Sequence, residues 1–224
     1  MSAGSPAPAN PLETWFRANQ GRAVYKWPHY FPVYHRHLAR YRGTAVAVLE
    51  FGVSHGGSLQ MWRDYFGPAC QVTGADIDPR CLVAAGDGIT VVIGDQEDPE
   101  FLAGLGGPFD VIIDDGGHSM TQQVTTLNCM WPALADGGTF ITEDTHTSYW
   151  PSCGGGYRRP GTFTEHAKTM IDRMHAWQSQ DPALLPDMWT RTLAGMHAYD
   201  SVIVFDKQAR AEPEPPANIG TASF

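Results

Sequence analysis

AVAVLEFGVSHGGSLQMWRDYF, residues 45–66, holds the fold in miniature. Its first part, AVAVLEF (45–51), is a nearly unbroken apolar run that stops at Gly52, the pattern of a parallel strand buried on both faces. GSLQMWRDYF (57–66) follows with helical spacing, so strand, glycine-rich turn and helix open a βαβ unit. Outward from it the alternation repeats: QVTGAD (71–76), a short helix from Pro79, ITVVIG (89–94), a helix from about Asp98, FDVIID (109–114), a helix from Ser119 to about Leu134, and the strand GGTFITE (137–143). HAYDSVIVFDK (197–207) reads as a last strand paired antiparallel with TRTLAGM (190–196). The series predicts an α/β, Rossmann-like fold: a mostly parallel seven-stranded sheet with an antiparallel C-terminal strand and helices on both faces.

Two segments fall outside the alternation. Residues 12–43 read as an aromatic-rich helical prelude, suited to a subunit interface or a cofactor cover. Residues 145–161, THTSYWPSCGGGYRRPG, form a loop long enough to be an active-site lid. A helix over 162–178 places Phe163, Ala167, Met170, Ile171, Met174 and Trp177 on one face, a core stripe. Residues 1–11 and 209–224 have the composition of disordered tails around a single domain, 12–208.

With 15 Lys and Arg against 24 Asp and Glu, the formal charge is −9, which argues against nucleic-acid binding. No apolar run reaches the roughly 18 residues of a membrane span, and the N-terminus lacks a signal-peptide pattern. The four cysteines form no CxxC pair and read as reduced thiols. A cytoplasmic protein with no membrane partner is expected.

In an open parallel sheet, ligands bind beyond the carboxyl ends of the strands. Five strands in turn end in, or are followed by, acids there: Glu50, Asp76, Asp95, Asp114 with Asp115, and Glu143 with Asp144. Gly52, Ser54 and Ser58 belong to the first strand-to-helix turn, where glycines admit a ligand and free N–H groups greet it. The turn is not GxGxxG, and Glu50 just before it would repel a pyrophosphate. Glu50 suits an amine, Asp76 a ribose and Asp95 an adenine amino group, a set that describes S-adenosylmethionine. Asp115, Glu143 and Asp144 would converge from neighbouring strands. Crowded carboxylates ask for a cation, and an all-oxygen set suits Mg²⁺. His118, three residues after Asp115, is placed to take a proton from a hydroxyl, with Asp115 beside it; His146 is the weaker candidate for ligand or base.

These residues together resemble a family, the metal-dependent, S-adenosylmethionine-dependent sugar O-methyltransferases of bacterial natural-product pathways, which include mycinamicin-type macrolide 2''-O-methyltransferases and rhamnosyl O-methyltransferases. The resemblance runs over about residues 20–207 and rests on KWPHYFPVYHRHL (26–38), LEFGVSHGGSLQMWRDYFG (49–67), GADIDPRC (74–81), IGDQEDPEFL (93–102), FDVIIDDGGHSM (109–120) and EDTHTSYWPSCGGG (143–156). It implies a class I methyltransferase fold, metal ligands at Asp115, Glu143 and Asp144, a base at His118, and cofactor contacts from Glu50, Asp76, Asp95, Asp114, Tyr30 and Tyr34. It further implies methylation of a sugar hydroxyl on a glycosylated small molecule or nucleotide sugar. Separately from the resemblance, a homo-oligomer is expected. His146, Tyr149, Trp150 and Tyr157 would meet the acceptor from the lid. Two departures stand out. Macrolide enzymes carry a large N-terminal auxiliary domain where only about 45 residues precede the first strand here, and the lid reads PSCGGGYRRPG, so acceptor contacts do not transfer. A catechol-like acceptor would use the same metal chemistry; a nicotinamide oxidoreductase or a non-catalytic binding protein are the more distant alternatives.

Overall fold

The computed structural model describes residues 9–215, so most of both expected tails (1–8 and 216–224) lies outside the described residues. Ala209 and Arg210 are still bonded to the domain, through Asp136 Oδ1 and the Arg191 carbonyl.

Seven strands form one sheet: β1 (Ala47–Phe51), β2 (Gln71–Asp76), β3 (Ile89–Ile93), β4 (Phe109–Asp114), β5 (Leu134–Thr142), β6 (Leu193–Tyr199) and β7 (Val202–Lys207). Their order is β3-β2-β1-β4-β5-β7-β6. The first five are parallel, β7 runs antiparallel to β5, and β6 pairs antiparallel with β7. The order reverses between β1 and β4, which places the crevice of an open α/β sheet over their carboxyl ends.

Period-two alternation sorts the core into two layers. Val48 and Trp62 pack on one face with Leu12, Phe31, Tyr34 and Leu38; Leu49 and Phe51 pack on the other with Ile112, Leu127, Trp131 and Phe163. The prelude therefore completes the core. It forms α1 (Pro11–Ala18) and α2 (Phe31–Leu38), and full burial of a large apolar side chain contributes roughly 1.5–3 kcal/mol. Asn10 caps α1 by accepting from Leu12 N and Glu13 N, with Pro11 at the first helical position. Facing helix α3 (Gly57–Phe66) is tied to α1 by Trp15 Nε1 donating to Asp64 Oδ2 at 2.7 Å.

Helices α4 (Pro99–Gly104), α5 (Met120–Met130), α6 (Phe163–Met174) and α7 (Met188–Thr192) complete the fold. The expected last strand, 197–207, is instead two strands broken at Asp200–Ser201, where Ser201 has φ 64°. Residues 190–192 are helical because Asp187 and Thr190 form a reciprocal capping box. The stripe on α6 narrows to Phe163, Ala167 and Met170, and Ile171 is 44% exposed. The long loop folds into two short 3₁₀ turns, Thr145–Tyr149 and Pro151–Cys153, closed by Gly155 N and Gly156 N donating back to the carbonyls of Trp150 and Ser148.

Candidate active site

The turn after β1 is shaped by one carboxylate. Asp76, at the end of β2, accepts from Val53 N (2.8 Å) and Ser54 N (3.0 Å) through Oδ2 and from Asp78 N (2.9 Å) through Oδ1. Partial burial works against ionisation of Asp76, but these backbone donors outweigh it and hold the carboxyl below its ordinary pKa. The loop they organise has three left-handed residues, Gly52, Ser54 and Gly56. At Gly52 a Cβ would stand 2.0 Å from the Asp115 carbonyl oxygen, so only glycine lets the ends of β1 and β4 approach. Above this turn opens a cavity of about 420 Å³ lined by Gly52, Ser54, Ser58, Asp76, Asp95 and Gly116 among others. Its volume falls in the range of small-molecule sites.

Glu50, Tyr34 and Asp114 do not line that cavity; all three are fully buried. Glu50 is occupied by Ser58 Oγ (2.7 Å) and Trp62 Nε1 (3.0 Å). Asp114 accepts from Gln96 Nε2 at 3.0 Å through Oδ1, and Oδ2 has no protein partner. Gln96 also donates to Thr126 Oγ1 and accepts from Gly117 N, which fixes the loop after β4. Nothing in the sequence marks Gln96 except its place beside Asp95.

Burial lifts the Asp114 carboxyl to about 6, with His118 and Gln96 opposing. A carboxyl whose folded pKa is raised costs stability once it ionises; the cost is full above about 6 and shrinks as pH falls from there toward the ordinary 3.8. Asp114→Asn is therefore expected to gain melting temperature relative to the parent as pH rises from about 5 to about 8. Parallel melting curves across that range by differential scanning fluorimetry would refute this.

Beyond the cavity the acids separate into two groups. Glu50, Asp115 and Glu143 surround Lys26, whose Nζ lies 2.6 Å from Asp115 Oδ2, 2.8 and 2.9 Å from the two Glu143 oxygens, and 3.3 Å from Glu50 Oε1. Burial opposes the lysine's charge, but the three acids outweigh it and raise its pKa. Burial likewise pushes each of the three carboxyls up, with Lys26 pulling them down. The second group is open. His118 Nε2 lies 3.3 Å from Asp144 Oδ2 and 3.8 Å from Asp115 Oδ1. Burial lowers the His118 pKa against the pull of Asp144 and Asp114, which favours the neutral imidazole. Of the three expected metal ligands, Asp115 and Asp144 thus face His118, and Glu143 faces Lys26.

His118 and Asp144 both sit in the left-handed region, at φ 56° and 51°. Thr147 Oγ1 lies 2.9 Å from the His118 carbonyl and 2.8 Å from that of Asp144, so one hydroxyl serves both strained residues. On its other side Asp144 accepts from Tyr30 OH at 2.5 Å.

A second cavity, of about 330 Å³, is lined by Phe16, Lys26, Trp27, Tyr30 and Glu143, and shares Val24, Tyr25, Asp115 and Asp144 with the first. Asp115 and Asp144 therefore stand between two chambers. Tyr149, Trp150, Tyr157 and His146 line neither cavity. Trp150 packs edge-on against His146, whose Nδ1 is 4.0 Å from Asp144 Oδ1. A further cluster, His37, His197 and Asp206, lies away from the crevice, where Arg40 already neighbours the carboxylate at 3.7 Å.

The glycine cradle at Gly52 would be filled by any Cβ, and the Asp115–His118–Asp144 group brings two carboxylate oxygens and an imidazole within 4.8 Å of one another. His118 Nδ1 is buried without a protein partner. The residues present fit a nucleoside-bearing cofactor in the first cavity and a divalent cation at its edge. The strand order, the turn and the acids at the strand ends define a class I methyltransferase fold.

A methyltransferase-domain family matches residues 49–145. L-olivosyl-oleandolide 3-O-methyltransferase of Streptomyces antibioticus is 39% identical over 191 residues, covering 79% of this chain and 49% of its own. Mycinamicin VI 2''-O-methyltransferase of Micromonospora griseorubida is 37% identical over 194 residues, covering 80% and 48%. The solved structure of the MycE methyltransferase of the mycinamycin pathway, in complex with Mg and SAH, superposes with a TM-score of 0.80 at 32% identity, over 96% of this chain and 57% of that one. The chain belongs to the class I S-adenosylmethionine-dependent O-methyltransferases and is related to the mycinamicin and tetracenomycin sugar O-methyltransferases. It spans about half the length of the curated relatives it matches.

Proposed function

We propose that this protein transfers a methyl group from S-adenosylmethionine to a sugar hydroxyl of a glycosylated small molecule or nucleotide sugar, with Mg²⁺ or another divalent cation bound beside the acceptor. The observation that carries the reading is the position of Asp115 and Asp144 in the wall shared by two cavities. The glycine-lined cavity fits the cofactor, and the chamber under Tyr25 and Trp27 fits the acceptor.

When bound, the cofactor supplies an electrophilic methyl and the cation polarises a hydroxyl placed next to it. Asp115 and Asp144 would hold the cation and thereby the acceptor's orientation. His118, kept neutral by burial, would accept the hydroxyl proton at Nε2, and Asp144 would steady the resulting imidazolium. Asp76 would set the turn around the ribose, and Asp95 would face the adenine end. Tyr25 and Trp27, both exposed on the acceptor side, offer flat apolar surface to a sugar or an aglycone. The charge of −9 supports an acceptor other than nucleic acid; a cytoplasmic homo-oligomer belongs to the same reading.

The test is methyl transfer from labelled S-adenosylmethionine by the purified protein, against a panel of deoxysugar glycosides, nucleotide sugars and catechols. Methylation of a glycoside that stops with EDTA and returns with Mg²⁺ is expected. Undiminished turnover in chelator-treated protein would overturn the metal requirement, and methylation of catechols alone would replace the acceptor.

A further inference from the structure

β6 is the outer strand at the antiparallel edge of the sheet, and the last turn of α2 meets it. His197 pairs with Val204 and Gly195 with Asp206, so His197 and Asp206 lie on one face of the β6–β7 hairpin. His197 Nε2 is 3.0 Å from Asp206 Oδ2. His37, at the end of α2, reaches the pair, with its ring centroid 4.7 Å from that of His197. One ligand atom from each of the three lies within 4.8 Å of the other two. Two imidazoles and a carboxylate over that span are a transition-metal donor set. Tetrahedral ligands about 2.0–2.2 Å from a Zn²⁺ ion stand about 3.3–3.6 Å from one another. His197 and Asp206 are already close to that spacing.

The ligands are steadied by the groups behind them. Asp206 Oδ1 accepts from Thr139 Oγ1 at 3.4 Å and neighbours Arg40 at 3.7 Å, which leaves Oδ2 to the imidazoles. Arg40 is itself engaged by the Gly137 carbonyl at 3.0 Å and Thr139 Oγ1 at 2.8 Å. Tyr199 OH, 2.8 Å from His37 Nε2, fixes where that ring stands. Burial lowers the His37 pKa; Asp206 opposes it, and His197, Arg36 and Arg40 act with burial. The imidazole is therefore offered neutral, the form that binds a metal. Gly195 keeps the outer corner clear, since a Cβ there would stand 3.7 Å from His197 Nε2 and 4.0 Å from Asp206 Oδ2.

We propose that His37, His197 and Asp206 form a second metal site, for Zn²⁺ or a similar transition-metal ion, with water completing the coordination. Mg²⁺ is a poor occupant, because it takes oxygen ligands. The ion clips α2 to the β6–β7 hairpin, joining segments far apart in the chain. The turn before α2 carries Tyr30, which donates to Asp144, so the clip holds the support of the catalytic crevice from outside it. Arg36 and Arg40 nearby keep the affinity on the order of micromolar. The site shares no residue with the methyl-transfer centre and does not rest on that reading.

The test starts from wild-type protein stripped with chelator. It is treated with diethylpyrocarbonate, which modifies free imidazoles, in the presence of no metal, of excess Mg²⁺, or of excess Mg²⁺ with two equivalents of Zn²⁺. The second equivalent allows for an ion held at the catalytic acids. Modified sites are read by peptide mass spectrometry. His197, 45% exposed, is expected to react without metal and with Mg²⁺, and to be protected by Zn²⁺. His175, also exposed, is expected to react throughout. Labelling of His197 that Zn²⁺ does not change would overturn the proposal, as would equal protection by Mg²⁺. In parallel, Zn²⁺ is titrated calorimetrically in excess Mg²⁺. His197→Ala is expected to weaken one Zn²⁺ site by at least about tenfold, while Asp115→Asn retains that site. An isotherm of His197→Ala that matches the wild type would also overturn the proposal. If His197→Ala does not fold, the wild-type labelling alone decides. Loss of the Zn²⁺ site in Asp115→Asn and not in His197→Ala would assign the ion to the catalytic crevice and defeat the second site.

Discussion

Asp115→Asn is expected to lower methyl transfer by at least about 10³-fold while leaving S-adenosylhomocysteine binding near its wild-type level. Asparagine keeps the shape and still accepts from Lys26, so the seat around the ammonium survives. What disappears is the negative charge that faces His118 and Asp144 and would hold a cation between the cavities. Stability should move the other way. Three carboxylates, Glu50 and Glu143 buried and Asp115 partly so, share one ammonium, and burial already raises the pKa of each. Removing one charge relieves like-charge repulsion, and the metal-free variant should melt at or above the parent's temperature. Calorimetric titration, a methyl-transfer assay and a thermal melt read the three quantities separately. Retained turnover would remove Asp115 from the mechanism, and a large fall in melting temperature would contradict the electrostatic account.

Gly52→Ala should do damage of a different kind. The new Cβ would meet backbone on every side: the Asp115 carbonyl oxygen at 2.0 Å, its carbon at 2.7 Å and Gly116 Cα at 3.1 Å. No side chain can rotate away, so the ends of β1 and β4 must part. Strain at φ 88° adds to the overlap. A loss of at least about 3 kcal/mol is expected, seen as a fall in melting temperature of roughly 6–12 °C, together with loss of cofactor binding. Gly161→Ala is the control. Its φ is 85° with nothing within 4 Å, so it should cost only about 1 kcal/mol. Equal effects of the two substitutions would refute the close-approach argument.

The two residues also show what could be read in advance. Gly52 stands where an apolar run ends, and local pattern alone marks it as a ligand turn. The same holds for Asp76, Asp115 and Asp144, because each ends or follows a buried strand and strand ends of a parallel sheet converge. Lys26 was not legible. Its partners lie 24, 89 and 117 positions along the chain, and a lysine beside exposed aromatics reads as solvated until the fold wraps it around Glu50. The assignment of Glu50 to a cofactor amine met the same obstacle, since side-chain direction at the end of β1 depends on what packs over that face. Glu143 and Asp144 follow the end of β5 at Thr142, and the left-handed backbone at Asp144 (φ 51°) turns its side chain away from that of Glu143. Their separation into two groups follows from that geometry, which chemistry by residue type does not convey. The break at Asp200–Ser201 did carry a turn signal, which a continuous count of apolar residues across it obscures.

The hydroxyl of Thr147 gives the site a mechanical property. It is bound to the backbone of the residue that would take the proton and of the residue that would hold the cation, and it belongs to the first turn of the 145–161 loop. Proton acceptor, cation ligand and loop therefore share one hinge pin. Asp144 and Thr147 belong to the same turn, so a shift of that turn would carry their contact along and break the one to the His118 carbonyl, and the position of the loop is felt first at the proton acceptor.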